Sequence, residues 1–313
     1  MGDLLKTSTT TKLFIVLALT ALCAGAGFYI AGKITRSTPR VSGVEHVSAP
    51  YAISAEDRLF YKLLDEKAAT GTAAEVGELV LKNINENPRR IAVALDWARD
   101  NSVRQNDPDK INSLYYLLYA DLEYFAAQAF LEQKMTARFI DMSKTALAAL
   151  LTAEALLATD IARCEDQSAR SILIPLMAPR METLHYAYGL FDEQQMRDLS
   201  VIILSGVSSM WNRAPNKEVC ASGRDSVIKA LEEGATTVKA PKRKGDLSET
   251  TILIPPKDFT VEPKFIDHNT WMEKTAAIHQ NLVQSWAQRY QDYIAVRDMR
   301  RAARAQQQKE NNK

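Results

Sequence analysis

Residues 108–163 read PDKINSLYYLLYADLEYFAAQAFLEQKMTARFIDMSKTALAALLTAEALLATDIAR, and nothing after Pro108 in this stretch breaks a helix. Ala and Leu dominate it, and Ile111, Leu114, Tyr115, Leu118, Leu122 and Phe125 recur at the three- and four-residue spacing of one helical face. Asp107 precedes Pro108 as a capping residue precedes proline at a first helical position, so a helix is expected to open there. Uninterrupted helices beyond about 25 residues are uncommon in globular domains, so two helices with a break near Gln133-Lys134 are expected. An antiparallel pair of this length needs a helical body around it, and all-α is the fold class.

Upstream, Ser54 with Asp57 and Thr72 with Glu75 have the spacing of capping boxes. Each introduces a short amphipathic helix, one carrying Leu59, Phe60, Leu63 and Leu64 to Gly71, the next Val76, Leu79, Val80 and Ile84 to Asn87. Asn87-Pro88 then opens a third, with Ile91, Ala94, Leu95 and Ala98 as its apolar stripe. The paired helices from Ser54 to about Gln133 resemble in outline the antiparallel hairpins of tetratricopeptide-type solenoids. The consensus Trp, Leu-Gly and Tyr positions are missing and the second pair is too long, so no family is assigned.

Downstream of Cys164, helical stretches near 168–188 and 193–211 are punctuated by Pro175, Pro179 and Gly189, with Asp192 as a cap. Arg224–Glu233 makes another short helix. Residues 234–269 change character, with PKRKGD, then Thr250 to Ile254 and Pro255-Pro256, and read as extended chain that can include a short strand and is suited to wrapping the body or meeting a partner. A last helix begins near Thr270 and sets Ile278, Leu282, Trp286, Tyr290 and Tyr293 on one side. Arg297, Arg300, Arg301 and Arg304 follow at i, i+3, i+4 and i+7, so their guanidinium groups share a face and form the candidate contact for an anionic partner. The polar end after Ala305 is expected to fray.

The N-terminus sets the expected location. Leu13–Gly32, LFIVLALTALCAGAGFYIAG, is an uncharged run of 20 residues between Lys12 and Lys33. A bilayer core about 30 Å thick takes about 20 helical residues, so the run is long enough to span. Ala24-Gly25-Ala26 offers the alternative of a cleaved signal, but cutting there leaves Phe28-Tyr29-Ile30 at the new terminus, which favours a retained anchor. Leu22 stands where a lipoprotein signal before Cys23 wants a small residue. The expected organisation is a stub and anchor at 1–33, a linker at 34–53, a helical domain at 54–233, an extended segment at 234–269 and a C-terminal helix at 270–313.

Lys33, Arg36 and Arg40 against Lys6 and Lys12 lean towards a cytoplasmic C-terminal side, but long domains translocate largely regardless of flanking charge. The cysteines argue the other way. Cys164 and Cys220 are the two outside the apolar run, an even count that suits one disulfide in an oxidising compartment.

Composition excludes some partners. There are 39 Lys and Arg against 38 Asp and Glu, so no global field draws nucleic acid, and the arginine stripe lacks the interleaved aromatics of a nucleic-acid surface. His46, His185, His268 and His279 form no ligand pair, and no metal or cofactor is expected. Serine elbows, phosphate loops and dinucleotide fingerprints are absent. Glu182 or Glu249 as a hydrolytic acid and His185 beside Tyr186 and Tyr188 are the enzyme candidates; a surface charge and a satisfied histidine are the plainer readings. Tyr115, Tyr116, Tyr119, Tyr124, Phe125 and Phe130 read as core rather than a ligand groove.

The expected function is therefore a non-enzymatic, single-pass scaffold or adaptor of a bacterial cell envelope, its anchor in the inner membrane and its domain in the periplasm among other envelope proteins. The alternatives are an envelope hydrolase or small-ligand-binding protein, and a cytoplasm-facing adaptor that uses the arginine stripe.

Overall fold

The computed structural model describes residues 54–105, 107–210, 213–239, 251–254, 256, 259 and 261–311, and the candidate anchor at 13–32 lies outside them. The described chain is almost entirely helical. Helices α1 (Ala55–Thr70) and α2 (Ala73–Glu86) both open on capping boxes, Ser54 with Asp57 and Thr72 with Glu75. In each, a hydroxyl takes an orphan N–H of the first turn while the third residue's carboxylate takes the N–H of the cap. The Thr72 N–H and then Lys67 hold the Glu75 carboxyl below its ordinary value.

Neither proline opens a helix at the expected place. Asn87 closes α2 and its side chain accepts from Arg89 N, so α3 (Arg90–Asp100) starts past a Pro88 turn. Pro108–Lys110 is a single 3-10 turn, and α4 (Ser113–Glu132) starts five residues after Pro108. The reason is tertiary: Asn112 caps Leu114 N while Asn216 holds the Asn112 side chain, and Ser113 is already committed to Asp160. These bonds set the first turn of α4 more firmly than the local proline signal.

The break between the two long helices falls at Gln133–Met135, as expected, with Lys134 in the left-handed region at φ 59°. Helix α5 (Thr136–Arg163) then returns antiparallel to α4, and the pair forms the centre of the body. Among the described residues α5 is the helix long and apolar enough to cross a membrane, yet 78% of its most apolar window is buried within the protein. Leu147, Leu150, Leu151, Leu156 and Leu157 are fully buried in it. Its composition is thus that of a core helix enclosed by neighbours. At one end of the core Trp97 of α3 meets Tyr115 of α4 edge-on at 5.0 Å and donates its indole N–H to Asp65 of α1 at 2.8 Å.

After a 3-10 stretch at Gln167–Ile172 come α6 (Leu173–Thr183), a second 3-10 stretch at His185–Leu190 and α7 (Glu193–Ser209), which Asp192 caps. The short α8 (Lys217–Cys220) and α9 (Arg224–Glu232) follow. Gly234, at φ 92°, turns the chain out of α9 into β1 (Thr236–Lys239), which pairs antiparallel with β2 (Thr251–Ile254). Phe265 then forms a bridge with Cys164, and Glu165 and Ile266 exchange backbone bonds with Lys264 and Arg163 at 2.9 Å. This short zipper delivers the chain to α10 (His268–Asn311), whose first turn is capped by Asp267 through Thr270 N.

Helix α10 is helical to Asn311, so the polar end expected to fray is part of it. It lies on α5, α7 and the 185–190 stretch, burying Trp271, Leu282, Trp286 and Tyr290. Gly189 permits the approach: a Cβ there would stand 2.2 Å from the Tyr293 hydroxyl oxygen.

Candidate functional site

The densest polar cluster gathers at the C-terminal end of α5. Asp160 is fully buried, and its carboxylate receives Arg213 at 2.6 Å, Ser113 Oγ at 2.8 Å and Asn216 N at 3.2 Å. Arg213, itself buried, also donates to the carbonyls of Ile111 and Ala214 at 3.3 and 3.2 Å. Arg163 donates to the Arg213 carbonyl, and its guanidinium carbon lies 5.0 Å from the Trp271 ring centroid. Burial, and then the neighbouring Arg213, lower the pKa of Arg163, while Asp160 opposes the shift. The cluster ties the loop before α8 to the starts of α4 and α10 and the end of α5.

Cys164 and Cys220 adjoin this knot and are joined as a disulfide with Cα atoms 5.3 Å apart, an ordinary span for the bond. Both sulfurs are buried against Ala169. Asp166 extends the same junction, its carboxylate accepting from Ser168 N and Asp225 N at 2.9 Å. Burial opposes the charge on Asp166, but these bonds outweigh it and hold the carboxyl below its ordinary value.

A second buried pair fastens α10. Glu154 of α5 receives both terminal nitrogens of Arg289, at 2.5 and 2.9 Å, and Trp286 Nε1 at 2.7 Å. Burial works against the Arg289 charge, yet the bidentate contact with Glu154 raises its pKa above the ordinary value. Arg180 clasps Asp121 with two nitrogens at 2.7 to 3.1 Å, binding α6 to α4.

Glu123 of α4 differs in sign. It is buried, and burial raises its pKa even though Tyr119 and Arg99, the latter 3.3 Å away, pull it down. Burial and the adjacent Glu123 push the Tyr119 hydroxyl up to about 12, so it stays a neutral donor. Because the folded pKa of Glu123 exceeds the unfolded one, the group favours folding most below the unfolded pKa and loses that contribution as pH rises through the folded one. Glu123→Gln is therefore expected to flatten the fall in melting temperature as pH rises above the ordinary glutamate range, about pH 4. Parallel wild-type and variant profiles would rule this out.

The remaining sequence candidates are dispersed. His185 meets the rings of Tyr188 and Tyr293 edge-on, His268 accepts from Trp271 Nε1 at 3.1 Å, and His279 is half-buried on α10 with a lowered pKa caused by burial. Among the described residues no group of three His, Cys, Asp or Glu could hold a metal ion. Glu182 is exposed on α6, and His46 and Glu249 lie outside the described residues. Tyr115, Tyr116, Tyr119 and Phe130 are buried in the core, with Tyr124 and Phe125 half-buried beside them. A depression lined by Val80, Leu81, Ile84, Leu118, Leu122 and Phe125 is apolar and too small for more than a water-sized molecule.

Arg297 is half-buried where α10 leaves the body, and Arg300, Arg301 and Arg304 stand exposed beyond it. Sequence reasoning found the disulfide and this stripe but missed Glu154–Arg289 and Asp160–Arg213. A signal for them existed: Glu154 and Asp160 are the acids inside the Ala- and Leu-rich run TALAALLTAEALLATDIAR, where an uncompensated charge would be costly. Their arginine partners lie 135 and 53 residues away and carry no such mark.

The geometry defines an ion-pair-stapled, disulfide-closed helical body with a projecting basic helix. No protein-family model, curated protein or solved structure matches the chain.

Proposed function

We propose that this protein is a non-enzymatic, single-pass membrane scaffold of a bacterial cell envelope, with the helical body in the periplasm and anchored through residues 13–32. The observation that carries the reading is the Cys164–Cys220 disulfide, buried at a junction of four segments, because such bonds persist in oxidising compartments. The apolar run of 20 residues before a Ser, Thr, Pro and Gly-containing linker supplies the address. Support for a holding role comes from the buried carboxylates. Asp160, Glu154 and Asp121 are each taken by an arginine from another segment of the chain, which suits them as fasteners rather than as poised acids.

The test is non-reducing mass spectrometry on intact cells alkylated before lysis, read for the Cys164–Cys220 linkage and for peptides from residues 1–32. A linked pair with the N-terminal peptides retained is the expected result. Alkylated free thiols would overturn the periplasmic assignment in favour of a cytoplasm-facing adaptor, the topology towards which Lys33, Arg36 and Arg40 lean.

A further inference from the structure

The side of α10 that packs on the body does not end where the body ends. Leu282, Trp286, Tyr290 and Tyr293 are followed at helical steps by Arg297, Arg300, Arg301 and Arg304, so aromatic rings and guanidinium groups occupy one continuous face. Arg297 is still half-buried, whereas residues 298–308 are exposed at every position. Those 11 residues extend about 16 Å past the last packed turn at 1.5 Å per residue. The arginines thus look towards the side on which the body lies, and overhang and body together form an inside corner.

Three observations narrow what fits there. Residues 297–313 carry six Lys and Arg against two Asp and Glu, while residues 54–296 carry 28 against 34, so the overhang is basic on an acidic protein. Arg300, Arg301 and Arg304 nonetheless meet no carboxylate among the described residues. A second copy placed by two-fold symmetry on the same face would set arginine against arginine. The overhang's length, about 16 Å, matches about three turns of a helix laid along it.

Arg297 is already paired with Asp298 at 3.0 Å, and we propose that this corner docks an acidic helix of a different protein, whose Asp and Glu side chains on one face pair with Arg300, Arg301 and Arg304 as the helix lies along the overhang. The proposal deepens the scaffold reading by naming the chemistry of its partner. The arginine fork suits two-point contact with carboxylates better than lysine does.

The test uses the full chain in nanodiscs of neutral lipid and two labelled, Ala-based peptides of about 20 residues with equal numbers of Glu. One peptide sets its Glu residues along a single helical face, and the other spreads them around the helix. The one-face peptide should bind at least about tenfold tighter than its isomer, weaken with salt, and slow tryptic cleavage at Arg300, Arg301 and Arg304. The triple variant R300E/R301E/R304E should lose at least about tenfold in affinity at an unchanged melting temperature, because these side chains are exposed.

Equal binding of both peptides, or none of either, would overturn the proposal. So would self-association abolished by the triple variant, which would assign the face to a second copy. Protection of the same tryptic sites by anionic-lipid nanodiscs without peptide would assign it to the bilayer. If the chain fails to enter nanodiscs, the membrane address falls, and the peptide comparison in solution still decides the docking site.

Discussion

Asp160→Ala is expected to destabilise the protein by about 3–5 kcal/mol, the loss typical when one partner of a buried ion pair is removed. The variant leaves the Arg213 guanidinium, which is 2% exposed, without its carboxylate and strands Ser113 Oγ and Asn216 N as well. The charge of Arg213 then has only the carbonyls of Ile111 and Ala214 to answer it. Removing both charges should be milder. In Asp160→Leu/Arg213→Met the uncompensated buried charge is gone, so the loss should be smaller than in the single variant, although Ser113 Oγ and Asn216 N still lack their acceptor. Urea unfolding of the full chain in micelles, followed by tryptophan fluorescence, checks both, since Trp97, Trp271 and Trp286 are all fully buried. A single variant within about 1 kcal/mol of the parent would mean that water or a shifted side chain serves Arg213 when Asp160 is gone.

How much of this was legible in the sequence follows from the range of each interaction. Capping boxes at Ser54 and Thr72 are local, bonded over three residues, and they stand where the spacing put them. The α4–α5 break is local too, fixed by polar residues at 133–134 and a backbone turn at Lys134. Pro108 misled because the start of α4 answers to partners elsewhere, Asn216 above all, more than 100 residues from Asn112, whereas at Pro88 the Asn87 side chain bonds Arg89 N in a local turn before α3. The β1–β2 pair was half visible, as room for a short strand near Thr250 to Ile254, since its partner Thr236–Lys239 has no alternation of its own. Of the candidate site, the cysteines and the arginine stripe were readable because count and helical period suffice to mark them. That the stripe continues the buried face of α10 required knowing where the body stops.

The disulfide gives the other large expected effect. A cross-link across 56 residues restricts the unfolded chain, and the chain-entropy relation puts its loss at about 4 kcal/mol. Reduction should therefore lower the urea midpoint and also raise the slope of unfolding, because an unlinked denatured chain exposes more surface. Cys164→Ala/Cys220→Ala should reproduce both shifts and cost somewhat more, since Cys164 is 1% exposed and Cys220 3%, and the missing sulfurs leave a void beside Ala169. The same burial makes the bond slow to reduce in the native state, so thiol release in dithiothreitol should follow opening of the junction where Phe265 bridges to Cys164. A midpoint that does not move on complete reduction would show that the Asp160–Arg213 knot alone holds this end of α5. It would also remove the energetic reason for keeping the pair oxidised, and with it the main support for an oxidising compartment.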